Sequence, residues 1–264
     1  MPVRLRAAAV SDVGAYRAVN QDAAFTAPWG AAVADGVGGG PSGDLASAAL
    51  VHRLVAGRML LLDAEALAER IREANWDLRL HTERDASLRG MATTFTGIFV
   101  ARTGGLLLAH TGDSRAYRLR AGELTRETRD DSYVQALVDN GLLTADAAAS
   151  HPRRNLITAS LGGSEDDAAT VVDRLAVVGD RWLLCSDGVT DYLPDAELRS
   201  VLAGGLAPEA TAASLVALAL EAGTRDNATA VVCDIESATD VPGGERASFH
   251  GAAADRFCEE LETA

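Results

Sequence analysis

Aromatic side chains are scarce in this 264-residue chain, at 5%, so a core has to be filled by the Ala, Val and Leu that dominate its 48% hydrophobic content. Cysteine is scarcer. Cys185, Cys233 and Cys258 are odd in number and widely spaced, with no CxxC pair; this argues against a disulfide framework or a zinc knuckle and fits a reducing cytoplasm. Basic residues fall short of acidic ones, 24 against 38, for a net charge of −14. That balance repels nucleic acid and anionic membrane. No apolar run is long enough to span a bilayer and the N-terminus has no signal-peptide h-region, so a cytoplasmic protein without a membrane partner is expected. There is no P-loop lysine motif and no His-Glu-x-x-His zinc motif, and the five histidines are scattered. The length admits one large domain or two small ones.

What is present is organised around Ala31-Ala32-Val33-Ala34-Asp35-Gly36-Val37-Gly38-Gly39-Gly40. An apolar run leads into a carboxylate, and a glycine cluster follows at once. A buried strand ending in Asp35 would set that carboxylate at the edge of a core, while the glycines let the backbone turn sharply and bring its carbonyls close. Three other strand-to-carboxylate junctions look alike: His110-Thr111-Gly112-Asp113, Leu184-Cys185-Ser186-Asp187-Gly188 and Arg225-Asp226-Asn227. A single such Asp is ordinarily a turn or cap residue. Four at strand ends, two of them followed directly by Gly, are harder to explain as turns. With Asp22 they are expected to converge on hard divalent cations, which prefer oxygen ligands.

A competing reading begins in the same stretch. Gly38-x-Gly40-x-x-Gly43 matches the dinucleotide fingerprint, with Asp63 near the expected later distance. A Rossmann unit, however, needs a parallel strand directly after its first helix, with the acidic residue at that strand's end. Asp63 instead begins a second amphipathic helix, and Pro41 falls where backbone amides should face pyrophosphate.

Patterning along the chain predicts a strand over residues 3–10 and a helix from Gly43-Asp44 to about Met59. Asp63 caps a second helix with Leu67, Ile71, Ala74 and Leu78 on one face. Strands follow over 93–101, 106–111 and 115–119; the short links at 102–105 and 112–114 read as hairpins, hence an antiparallel sheet. A short helix over 133–138 and the polar stretch 150–155 read as an excursion over a site. Strands at 170–178 and 181–185, helices at 195–202 and 208–222, and a last strand at 228–235 complete a domain over residues 1–235. Residues 236–264 are expected to be an acidic, flexible tail with a short helix over 252–262. The order of elements indicates an α+β fold: a four-layer αββα sandwich of two mainly antiparallel β-sheets flanked by helices, not alternating βαβ units.

Read in order, Arg17-x-x-Asn20-Gln21-Asp22, Ala34-Asp35-Gly36-Val37-Gly38-Gly39, Met91-Ala92-Thr93-Thr94, Gly112-Asp113-Ser114-Arg115, Ser186-Asp187-Gly188 and Asp226-Asn227 resemble the metal-dependent protein Ser/Thr phosphatases of the PPM (PP2C-type) family, bacterial branch. Leu124-Thr125, Asp131-Ser132, Gln135, His151-Pro152 and Leu161-Gly162 add minor matches, and the resemblance covers about residues 3–235. It implies a helix-flanked β-sandwich. It further implies that Asp35 bridges two ions, Mn²⁺ or Mg²⁺, with the Gly36 carbonyl and Asp22 on one and with Asp187 and Asp226 on the other. Asp113, with Asp187, matches a weaker third-metal site. Arg17 matches the arginine that grips substrate phosphate, a natural use of a bidentate guanidinium.

The implied activity is hydrolysis of phosphoserine and phosphothreonine in proteins by a metal-activated water, with Arg17 and Asp35 carrying the reaction. The implied protein is a monomer whose partners are phosphoproteins, including a Ser/Thr kinase and its targets. No cysteine nucleophile is required. Three positions depart from the family pattern. Val37 stands where many eukaryotic relatives have a His proposed as general acid, Ala92 where Gly is usual, and Ser160 where Arg is common. A different function class, a phosphatase-like binding module without turnover, is disfavoured by the intact Asp35, Asp187 and Asp226.

Overall fold

Strands covered on both faces read as unbroken apolar runs, and several segments of this chain have that character. The structure, a computed structural model, describes residues 2–37, 42–56, 62–240, 242 and 245–256. The glycine run with Pro41, the expected end of the first helix near Met59, Cys258 and the expected helix past residue 256 lie outside the described residues.

In chain order the elements are β1 (Val3–Asp12), β2 (Asp22–Ala27), β3 (Gly30–Val37), α1 (Gly43–Val55), α2 (Ala64–Arg84), β4 (Ala92–Thr93), β5 (Phe95–Val100), β6 (Leu106–Thr111), β7 (Arg115–Arg120) and β8 (Glu123–Arg126). There follow α3 (Tyr133–Asp139), α4 (Ala145–Ala149), β9 (Thr170–Arg174), β10 (Arg181–Cys185), α5 (Asp187–Thr190), α6 (Asp195–Leu202), α7 (Pro208–Glu221), β11 (Ala228–Ser237), β12 (Ser248–Gly251) and α8 (Ala252–Asp255). Among the described residues, one sheet has five strands in the order β1-β11-β10-β7-β8. The other has seven, in the order β12-β2-β3-β5-β6-β9 with β4 beside β3. Every pairing between named strands is antiparallel.

The period-2 alternation of the strands sorts their side chains into three apolar layers. Ala31 and Val33 of β3, Ile98 of β5, Leu106 and Leu108 of β6, Trp182 and Leu184 of β10 and Val231 of β11 meet between the sheets. The alternate residues face outward. Ala32, Phe99 and Leu107 pack under Leu50 and Leu54 of α1 and Leu67, Ile71 and Leu78 of α2. Leu183, Cys185, Ala230 and Val232 pack under Leu198 of α6 and Leu215 of α7. The fold is therefore the expected four-layer αββα sandwich. Asp63 caps α2 as its position predicts, its Oδ1 accepting the Ala66 N–H at 3.0 Å.

The expected hairpin at residues 112–114 is instead a crossover between sheets, and a second crossover lies further on. β6 and β7, joined by Gly112-Asp113-Ser114, belong to different sheets, and so do β9 and β10, joined across residues 175–180. β6 is buried on both faces along its whole length, so no alternation marks which sheet receives the next strand. The crossover is what matters for function: it carries Asp113 to the end of the sandwich where the other carboxylates lie.

Within the stretch expected as tail, β11 continues to Ser237 and β12 pairs with β2, setting Phe249 opposite Phe25. α8 then buries Ala252 and Ala253 in the layer under α1. These contacts join residues more than two hundred positions apart, and the Ser/Gly/Pro composition of the stretch does not announce them.

Candidate metal centre

Asp22 and Asp35 are brought together by register. β2 and β3 pair so that the two aspartates are direct cross-strand partners. The Asp35 backbone is gripped by the Thr pair of Met91-Ala92-Thr93-Thr94. Its N–H donates to Thr94 Oγ1 at 3.0 Å, and its carbonyl accepts from Thr94 N at 2.8 Å and Thr93 Oγ1 at 3.0 Å. Thr94 Oγ1 lies 2.7 Å from Ser114 Oγ, beside Asp113. Gly36 meets the start of α1 so closely that a Cβ on it would lie 2.2 Å from the Gly43 carbonyl oxygen. Only glycine fits there.

Asp187 opens α5 directly after β10. The preceding Ser186 Oγ donates to Asp22 Oδ2 at 2.7 Å and accepts the Thr229 N–H at 3.1 Å, joining the two sheets beneath the centre. Asp226 precedes β11. Its Oδ2 takes Arg17 Nη2 at 2.6 Å and its Oδ1 takes the Asn227 N–H at 2.9 Å. Asn227 Oδ1 accepts from Gln21 N at 2.8 Å, and its Nδ2 donates to the carbonyls of Val13 and Val19. Asn20 Oδ1 accepts the Asp22 N–H at 3.1 Å. Within the Arg17-to-Asp22 motif, Asn20 and Gln21 therefore shape the backbone, while Arg17 and Asp22 present side chains to the centre.

The electrostatics show what this cluster is suited to hold. Burial pushes the Asp35 carboxyl well above the usual carboxylate range, reinforced by the charges of Asp22, Asp187, Asp113 and Asp226. Asp187 is likewise raised, by burial first and then by Asp113, Asp191, Asp226 and Asp22. Asp113 is pushed up to about 7 by burial and then Asp130; Asp22 rises to about 6 through burial, opposed by hydrogen bonds from Ser186 and Thr229. At the rim Arg17 pairs with Asp226 and Arg154 with Asp191 at 3.4 Å, while the partly buried Arg115, paired with Asp130, lowers the Asp113 pKa only from a distance. Among the described residues, Asp22, Asp35, Asp113 and Asp187 form no ion pair with a basic side chain, and no three acidic, His or Cys side chains already enclose one point. Two of the carboxylates are turned aside, Asp22 to Ser186 and Asp226 to Arg17. Clustered carboxylates that repel one another, most of them outside any ion pair, suit hard divalent cations, which compensate the charge and accept oxygen ligands.

A cavity of about 530 Å³ opens beside this cluster, between Asp113, Asp187 and Asp191 on one side and α3 and α4 on the other. Arg115, Asp130 and Arg154 also line it. Asp191 has no counterpart in the strand-to-carboxylate pattern. It caps the C-terminal end of the four-residue α5 and reaches the centre only because that turn folds it back. Ser186 and Asn227 were visible as motif members, but their bridging bonds were not.

A helix-flanked pair of antiparallel sheets with a carboxylate cluster at one end is the architecture of the PP2C-like fold. The chain belongs to the protein phosphatase 2C family, whose model matches residues 15–219. It is similar to the serine/threonine protein phosphatase PstP of Mycobacterium tuberculosis, at 41% identity over 239 residues, covering 88% of this chain and 45% of PstP. The chain thus spans about half the length of that relative. The crystal structure of M. tuberculosis PstP/Ppp superposes with a TM-score of 0.83 at 40% identity, covering 89% of this chain and all of that one. The catalytic domain of PstP in complex with two manganese ions gives a TM-score of 0.80 at 38% identity, with coverage of 89% and 100%.

Proposed function

We propose that this chain is the catalytic domain of a metal-dependent protein phosphatase that hydrolyses phosphoserine and phosphothreonine. The observation that carries the reading is the cluster of Asp22, Asp35, Asp113 and Asp187, all raised in pKa by burial and by neighbouring carboxylates and forming no ion pair with a basic side chain among the described residues. Asp35 would be shared by two ions, with Asp22 and the Gly36 carbonyl on one and Asp187 and Asp226 on the other. Mn²⁺ is the first choice, in line with the two-manganese PstP complex, and Mg²⁺ would serve the same oxygen ligands. Asp113 with Asp187 would hold a weaker third ion. When bound, such ions supply charge stabilisation and the activation of water at neutral pH.

The chain's own residues do the rest. Arg17, half exposed at the rim, offers its guanidinium to the substrate phosphate. The Thr93-Thr94 clamp fixes the Asp35 backbone, and Ser186 orients Asp22. Val37 leaves no imidazole beside Asp35, so protonation of the leaving alkoxide falls to solvent in the centre. Cys185 and Cys233 are free and buried, consistent with a reducing cytoplasm and with no role as nucleophile. Among the described residues no helix is long and apolar enough to cross a membrane. Phosphoproteins, including a Ser/Thr kinase and its targets, are the proposed partners of a monomer, and the domain is taken to extend through Arg256.

The test is hydrolysis of a phosphothreonine peptide with and without Mn²⁺. Activity should require the metal and stop in EDTA. Asp35→Asn removes a charge shared by both ions and should lower turnover by at least about a thousandfold, with loss of both tight sites in calorimetry. Asp113→Asn should retain the two tight sites at reduced activity. Robust turnover in EDTA would overturn the two-metal reading, and metal binding without turnover on any phosphopeptide would favour a binding module.

A further inference from the structure

The segment formed by β12 and α8 packs against the back of the metal centre. It lies beyond residues 15–219, the part matched by the family model. β12 adds to the edge of β2 with Gly251 opposite Ala23, one residue from Asp22. Gly251 has φ +61° and ψ −141°, a conformation open in practice to glycine alone. A Cβ there would lie 2.3 Å from the Asp22 carbonyl oxygen and 2.7 Å from Ser11 Oγ. Ser11 Oγ accepts from Asn20 Nδ2 at 2.8 Å, and Asn20 Oδ1 in turn receives the Asp22 N–H. Gly251 thus bears on the Asp22 carbonyl directly and on its N–H through two side chains.

The segment then grips α1. Ala253 O meets His52 Nε2 at 2.7 Å, and Phe249 stacks on the His52 ring at 4.0 Å. Arg256 Nε donates to Asp44 Oδ2 at 2.7 Å. Asp44 sits in the first turn of α1, next to Gly43, which packs on the Gly36 carbonyl. Upstream, Trp29 Nε1 donates to Glu245 O at 2.9 Å, fixing the entry of the segment. The segment packs on β1, β2 and α1. It therefore reaches the Asp22 and Gly36 side of the centre, whereas Asp187 and Asp226 hang from β10 and β11.

We propose that residues 248–256 are a positioning element of the metal centre, in which Gly251 and Arg256 hold Asp22 and Gly36 and so set the affinity of one ion of the pair. The proposal rests on the reading of Asp22, Asp35 and Gly36 as ligands of that ion. Its signature is asymmetry: loosening this segment weakens one ion and spares the other.

Calorimetric titration of Mn²⁺ into EDTA-stripped, dialysed protein tests it. Arg256→Ala should weaken one of the two tight sites by about threefold, the scale of a partly exposed charge-assisted pair, and leave the other at its wild-type affinity. Arg256→Lys should recover most of that loss. Gly251→Val, which forces a side chain against the Asp22 carbonyl, should weaken the same site by about tenfold or more. Thermal melts in EDTA establish that each variant is folded; if Gly251→Val is not, the Arg256→Ala and Arg256→Lys pair decides alone. Folded variants that bind both ions as wild type does, or that weaken both sites equally, would overturn the proposal. Retention of both sites by Asp35→Asn would instead overturn the underlying metal reading, so the two failures are distinguishable.

Discussion

Arg17 is placed where two demands meet. Its Nη2 lies 2.6 Å from Asp226 Oδ2 and its Nε 3.3 Å from the Arg225 carbonyl, yet its side chain is 47% exposed. A pair exposed to that degree is worth at most about 1 kcal/mol of stability, so Arg17→Ala should melt close to wild type. The loss should be in phosphate capture: KM on a phosphothreonine peptide is expected to rise about tenfold or more, with a smaller fall in kcat. Unchanged KM with a collapsed kcat would reassign Arg17 to the chemical step. His110 makes a different residue-scale prediction. Its Nε2 faces the Arg129 carbonyl at 2.9 Å, its Nδ1 lies 2.9 Å from Thr96 Oγ1, and burial holds its pKa below the usual histidine range. The unfolded chain therefore takes up the proton first, and stability is lost as pH falls through about 6.5 toward the lower folded value. Denaturant titrations from pH 7.5 to 5 should show a shallower acid decline for His110→Gln than for wild type, and parallel curves would refute the assignment.

Between elements, the decisive device is the Thr94 hydroxyl. It sits between β4 and β5, receives the Asp35 N–H from β3 at 3.0 Å, and lies 2.7 Å from Ser114 Oγ on the crossover into β7. One buried hydroxyl thereby links the strand that presents Asp35 to the link that presents Asp113. Thr94→Val preserves shape and removes that link, leaving a buried N–H without its partner. A loss of about 1–3 kcal/mol in unfolding free energy is expected, together with weaker Mn²⁺ binding at the tight sites. Equilibrium denaturation in EDTA and metal titration measure the two effects separately. A wild-type metal isotherm in a destabilised Thr94→Val protein would reduce the hydroxyl to a packing role.

At the scale of the molecule, every one of the 24 basic residues is arginine, and many are used as bidentate clamps rather than as solvated point charges. Arg120 forks onto Asp180, Nε to Oδ1 at 2.7 Å and Nη2 to Oδ2 at 2.6 Å. Asp130 takes both Arg115 and Arg126. Arg118 and Arg174 converge on Glu127, each at 2.9 Å. These clamps fasten β7 and its neighbours to the loops at the sandwich ends, and they pair the largely buried Asp130, Asp180 and Glu127 with arginines. Asp180 is 1% exposed, and Arg120→Ala would leave it buried without its partner. That variant should lose about 2–3 kcal/mol, whereas Arg4→Ala, which breaks an exposed pair with Glu236, should stay within about 0.5 kcal/mol of wild type. Urea unfolding of both checks the contrast; equal losses would mean that burial of Asp180 carries no penalty.

Much of this architecture is written locally. The 3.6-residue spacing of Leu67, Ile71, Ala74 and Leu78 and the Asp63 cap determine α2, and the apolar runs ending in Asp35, Asp113 and Asp187 mark both the strands and the carboxylates they present. Such signals survive in one dimension because a helix face and a strand end are set by neighbours a few residues away. What the runs do not carry is partner choice. β6 is apolar on both faces, so nothing in it says that the chain leaves for the other sheet at Gly112. Asp191 reaches the centre only through the turn of α5, Ser186 finds Asp22 across 164 positions, and Gly251 meets the Asp22 carbonyl through a strand pairing that closes almost the whole chain. The sequence determined which residues sit at strand ends, because that is local stereochemistry. Tertiary structure alone decided which of those ends face one another, because pairing two sheets back to back depends on the summed burial of many side chains rather than on any one stretch.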